Sequence, residues 1–95
     1  MQAITITTPP YASIETFDAV HAQLGTLPDG LQASYAGTVG TGGLRVIDVW
    51  ESAAHAERYL TRTLGPALAR VLGPEPGGSA EVIRVDVLRS HFRDP

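Results

Sequence analysis

With no cysteine in the chain, proton-transfer and ligand-holding chemistry falls to three histidines, ten carboxylates, three tyrosines and one tryptophan. His21 shares the apolar stripe of a helix with Phe17, Val20 and Leu24. There it is either a general base near neutral pH or a core histidine with one hydrogen bond. Asp48 lies between Ile47 and Val49, on the same strand face as Trp50. A carboxylate buried there unpaired is costly, so it is expected to pair with Arg84 or a histidine. Facing a pocket it is a proton acceptor; facing a partner it is an interface ion pair. Arg84 and Asp86, on the last strand, pose the same question. His55 and Tyr59 stand four residues apart on one helix face. They can hold a ligand oxygen together, or form a polar edge with Tyr59 in the core. Tyr35 offers a hydroxyl to a cavity. Trp50 either stacks on an aromatic ligand or anchors the core between sheet and helix. The candidate proton-handling residues are thus His21, His55 and Asp48, and the candidate ligand contacts are Tyr35, Trp50 and Tyr59. His91, near the end of the chain, reads as solvated.

Other chemistries find no support. Without cysteine there are no disulfides, thiolate zinc sites, iron–sulfur clusters or cysteine nucleophiles. The three histidines share no metal-ligand spacing, so no metal is expected. Gly40-Thr-Gly-Gly43 has no lysine or helix after it and reads as a turn, not a phosphate loop. No G-x-S-x-G occurs, and no Ser-His-Asp set can be assembled. All seven basic residues are scattered arginines and the net charge is −3, which argues against a nucleic-acid partner. The opening residues, Met-Gln-Ala-Ile-Thr-Ile, show neither a positively charged leader nor a long apolar run. The expectation is a cytoplasmic protein with no membrane partner.

The positions of these residues depend on the elements that carry them. Ninety-five residues make one domain, 1–95, and the 43% hydrophobic content is that of a chain that folds around a core. Residues 2–8 alternate and are rich in β-branched types, which predicts a strand ended by Pro9-Pro10. Ser13 caps a helix reaching Leu24, with Gly25 closing it. Pro28-Asp29-Gly30 is a turn. Residues 31–39 read as a strand with Leu31, Ala33 and Tyr35 on one face. Residues 44–51 form the clearest strand. Ser52 caps a second helix, which Gly65-Pro66 interrupts, with 66–72 continuing at an angle. Residues 73–78 read as a loop, 80–88 as the last strand, and 89–95 as a polar, frayed tail.

The order is βαββαβ, an α+β ferredoxin-like arrangement: a four-stranded antiparallel sheet with two helices on one face. The strand over 44–51 places Leu44, Val46 and Trp50 on one side and Ile47 and Val49 on the other. Two helices cover one face only, so the apolar residues opposite predict a partner, most simply a second copy.

Gly43-Leu-Arg-Val-Ile-Asp-Val-Trp-Glu-Ser52, the following 53–64 and Gly65-Pro-Ala67 resemble the dimeric α/β-barrel superfamily. The nearest likeness is to the antibiotic-biosynthesis monooxygenase-like group and to small actinobacterial-type relatives. The Val49-Trp-x-Ser52 turn into the second helix is the recognisable part, and Pro28-x-Gly30-Leu31 fits as well. The resemblance implies two sheets packed face to face into a barrel, with a pocket between each sheet and its helices. Where relatives often carry an aromatic, Ala56 stands here and would enlarge the pocket. Haem degradation is disfavoured. The haem-degrading relatives use a strand-1 asparagine, absent here, and a helix-2 tryptophan and histidine, where Tyr59 and Ala69 stand.

Two functions follow. One is a cofactor-independent monooxygenase, cyclase or isomerase acting on an apolar or aromatic, polyketide-like small molecule. It would supply a dry pocket, orientation and one proton acceptor. The other is a non-catalytic dimeric module for a small ligand or a protein. An RNA-binding domain of the same order would need exposed aromatics on its central strands and a basic surface, and this sequence has neither. A metal chaperone of this order would need cysteines.

Overall fold

The computed structural model describes residues 1–40, 42–73 and 80–93. Strands β1 (Ala3–Thr8), β2 (Leu31–Thr38), β3 (Leu44–Trp50) and β4 (Glu81–Asp86) form one sheet. Its order is β2-β3-β1-β4, with every neighbouring pair antiparallel. Helix α1 (Ile14–Leu24) joins β1 to β2. Helices α2 (Ala53–Tyr59) and α3 (Gly65–Leu72) follow β3. This is the α+β ferredoxin-like fold.

The caps fall where the side chains can make them. Ser13 Oγ accepts from Thr16 N–H at 3.2 Å, and Ser52 Oγ accepts from His55 N–H at 3.3 Å, each satisfying an orphan donor of the first turn. Gly25 ends α1 at φ 71°. The turn before β2 is closed by Leu31 N–H on the Pro28 carbonyl, with Gly30 at φ 82°.

The second helix differs from its expected form. Gly65-Pro66 does not interrupt it; a wider π turn over Leu60–Leu64 joins α2 to α3. In a regular helix the Pro66 ring would press on the Arg62 carbonyl and could not donate to it. Opening the turn ahead of Pro66 accommodates both effects and keeps the chain helical.

Alternation along β1 and β3 sorts the sheet into two faces. Ala3, Thr5, Thr7, Leu44, Val46, Asp48 and Trp50 are buried under the helices. Trp50 is wholly buried, packs with Ala56 and Tyr59, and donates its Nε1–H to Thr5 Oγ1 at 3.0 Å. Ile47, Ile83 and Val85 are exposed on the opposite face. On β2 the alternation is broken. Leu31 pairs with Trp50, yet Ala33 pairs with Val49, so Gln32 is an extra, bulged residue. Leu31 therefore does not share a face with Ala33 and Tyr35. The bulge sends Tyr35 to the open face, where it pairs with Ile47 and is 63% exposed.

Val87 N–H donates to the Gln2 carbonyl at 3.0 Å, one residue past β4. Residues 89–93 have no regular structure and pass beside Gln2, Ile4 and Tyr35. Positions 74–78 of the expected loop, Thr41 of the hairpin connection and residues 94–95 lie outside the described residues. No helix among the described residues is long and apolar enough to cross a membrane.

Candidate active site between the sheet and helix α1

A crevice opens between the covered sheet face and the helices. Strand β3 contributes Val46 and Asp48, helix α1 contributes Phe17 and His21, and the connection after β1 contributes Tyr11. Tyr59 and Leu64 close it from the second helix. Its free volume is about 30 Å3, where one water needs roughly 10–15 Å3.

A wider groove of about 340 Å3 lies alongside, between α1 and the edge strand β2. That is within the roughly 300–1,000 Å3 of small-ligand sites. Leu27, Leu31 and Ser34 line it, and it shares Phe17 and His21 with the crevice. The rings of Phe17 and His21 stand 4.2 Å apart, centroid to centroid, and border both spaces.

Asp48 is 7% exposed. Burial raises its pKa above the ordinary 3.8, opposed by the Ser34 hydroxyl and by the charge of His21. The expected Arg84 partner is engaged elsewhere: it bonds Glu57 at 2.9 Å and lies 3.5 Å from Asp86. Arg84 and Asp86 thus form a half-exposed surface group with α2. Among the described residues Asp48 makes no ion pair at all. Its charge in turn raises the pKa of Tyr11 and Tyr59, in each case after the larger effect of burial. Both phenols therefore stay protonated at neutral pH and can donate hydrogen bonds. The crevice brings together one buried carboxyl group, one histidine and two phenol donors.

Three of the six candidate residues, His21, Asp48 and Tyr59, meet here. The other three are elsewhere. His55 Nδ1 is 2.7 Å from Ser52 Oγ, and its Nε2 is 3.9 Å from Glu51. Its ring packs on Gly30 and faces a separate depression with Asp29 and Arg58. Trp50 is sealed in the core with its ring centroid 5.1 Å from that of Tyr59, and reaches neither space. Tyr35 is on the open face for the reason given by the bulge. Tyr11 and Ser34 are the residues that sequence reasoning missed. Tyr11 carried a signal, as an aromatic between Pro9-Pro10 and the Ser13 cap. Ser34 carried none, because only the bulge turns it inward. Among the described residues no three potential metal ligands cluster.

No protein-family model matches the sequence, and no curated protein matches it. Solved structures do. A dimeric ferredoxin-like protein of unknown function from Jannaschia superposes with a TM-score of 0.63 at 10% identity, over 92% of this chain and all (100%) of that one. A monooxygenase from Streptomyces coelicolor, in complex with nanaomycin D, gives 0.57 at 14% identity, over 98% and 92%. A cofactor-independent oxygenase from Streptomyces nogalater gives 0.55 at 14%, over 94% and 93%. The chain shares their ferredoxin-like fold. At such identities the likeness extends to architecture and not to chemistry.

Proposed function

We propose that the chain is a small-molecule-binding protein that acts as a homodimer and removes a proton from an apolar or aromatic, polyketide-like ketone. The observation that carries this is Asp48: a buried carboxylate without an ion pair, its pKa raised by burial, facing a crevice with His21 and two protonated phenols. A base in that state is more proton-hungry than a solvated carboxylate. Proton removal at carbon opens oxygenation, cyclisation and isomerisation alike. In the oxygenation, dioxygen is the co-substrate: a methylene and O2 yield a carbonyl and water. Every group needed for the proton step is a side chain of this protein, so no cofactor is invoked. The fold shared with a ligand-bound monooxygenase and a cofactor-independent oxygenase supports the assignment. The dimer is supported by the apolar open face and by the dimeric structure of the same fold.

A dimeric module that binds a ligand without transforming it is favoured by one observation, the size of the crevice. At about 30 Å3 it admits water but no ring. For chemistry to occur, Phe17 and His21, which border both spaces, must move so that a ligand in the outer groove reaches Asp48. The test is deuterium exchange at the α-carbon of 2-tetralone in heavy water, followed by proton NMR. The enzyme reading expects acceleration above buffer, with Asp48→Asn lowering it by about 10²–10⁴-fold. Binding of 2-tetralone without acceleration leaves the non-catalytic module.

A further inference from the structure

Ser34 is the polar group that the crevice does not explain. The bulge at Gln32 turns it to the covered face, directly opposite Asp48 in the β2–β3 ladder. Facing residues on neighbouring strands have Cβ atoms roughly 4.5–5.5 Å apart. Ser34 Oγ is buried and makes no well-aligned hydrogen bond among the described residues, yet its hydroxyl acts on the Asp48 carboxyl as a hydrogen-bond donor and lowers its pKa. It borders the outer groove while Asp48 borders the crevice. A buried hydroxyl held by one poorly aligned contact is only partly satisfied. The Ser34 O–H acts on the Asp48 carboxylate in the free protein, is released when that carboxylate takes a proton, and can then turn to a ligand oxygen beside it.

We infer that the Ser34 hydroxyl is the donor that holds the enolate oxygen when Asp48 takes the α-proton. The ligand is then a ketone lying across β2 and β3, with its carbonyl at Ser34 and its α-carbon at Asp48. This rests on Asp48 acting as the base proposed above. The C–H proton passes to the Asp48 carboxylate. The C–H electron pair forms the carbon–carbon double bond, and the carbonyl π pair moves onto oxygen. The Ser34 O–H bond strengthens its hold as that charge develops, so the contribution appears in the rate rather than in ligand binding. Ser34 is the kind of residue that sequence alternation overlooks, since without the bulge it would face away.

The experiment is the pH profile of 2-tetralone α-proton exchange for wild type, Ser34→Ala, Ser34→Thr and Asp48→Asn. Ser34→Ala is expected to lower the high-pH plateau at least tenfold with ligand affinity unchanged. Ser34→Thr, which keeps the hydroxyl, recovers most of the plateau. A profile moved to higher pH with an unchanged plateau would show that Ser34 only tunes Asp48, and overturns the assignment. An unchanged profile for Ser34→Ala overturns it as well, while loss of exchange in Asp48→Asn alone leaves the base intact. If wild type does not accelerate exchange, or if Asp48→Asn matches wild type, the base itself fails and the enolate donor falls with it.

Discussion

Burial holds the Asp48 carboxyl above its ordinary value of 3.8, against smaller opposing effects from Ser34 and His21. The folded chain therefore binds this proton more tightly than the unfolded chain does. By linkage, that contribution to stability is fully present below the ordinary value and is lost as pH rises through the raised one. Asp48→Asn removes the buried charge. The variant is expected to melt at a higher temperature than wild type at neutral pH, with the difference closing as the pH is lowered toward 3.8. Melting curves across that range check it; a gap that widens on acidification would show that Asp48 is stabilised by a partner instead. The residue proposed as the base is thus expected to weaken the fold, as functional groups often do. Trp50 is its opposite. It is wholly buried with its indole N–H on Thr5, and contributes cohesion rather than contact with a ligand.

Among the elements, the start of α2 and the turn before β2 are tied together. His55 is held by the Ser52 cap and packs against Gly30, while Glu51 N–H donates to the Gly30 carbonyl at 2.8 Å. A Cβ at Gly30 would overlap the His55 ring, and φ 82° disfavours any side chain. Gly30→Ala should cost at least about 1–3 kcal/mol from backbone strain alone, read as a lower denaturant midpoint. His55→Ala added to Gly30→Ala should return part of the loss by clearing the overlap; no recovery would place the whole cost in the backbone. The same turn delivers the chain into the bulge at Gln32. One extra residue there decides which side chains of β2 meet the site.

For the whole molecule, the open sheet face is the feature that a lone chain leaves unsatisfied. Tyr35, Ile47, Ile83 and Val85 are between 39% and 63% exposed on it. A chain this small gains stability by covering such a face. Ile83→Asp, on that face, is expected to convert the protein from twice the 10.1 kDa chain mass to the single chain. Sedimentation velocity measures this, and the melting temperature should become independent of concentration as the dimer is lost. Wild type sedimenting as a monomer would remove the covered-face argument.

The sequence by itself determined the element order, both helix caps and the two faces of β3, because period-2 alternation and capping chemistry act between near neighbours. It also put His21 and Tyr59 on the apolar stripes of their helices, but left open which sheet face Asp48 and Trp50 take, because alternation separates the two faces without saying which one the helices cover. It took the folded molecule to turn His55 to its own helix cap, to send Arg84 to Glu57 and not to Asp48, and to accommodate Pro66 by a π turn ahead of it. The tertiary structure also decided the fate of β2. A bulge depends on how one strand pairs with another, so alternation within β2 gave Tyr35 the wrong face and left Ser34 unnoticed. The physical reason is common to all of these: local periodicity is written along the chain, whereas pairing register and the choice among competing polar partners are settled only when distant segments meet.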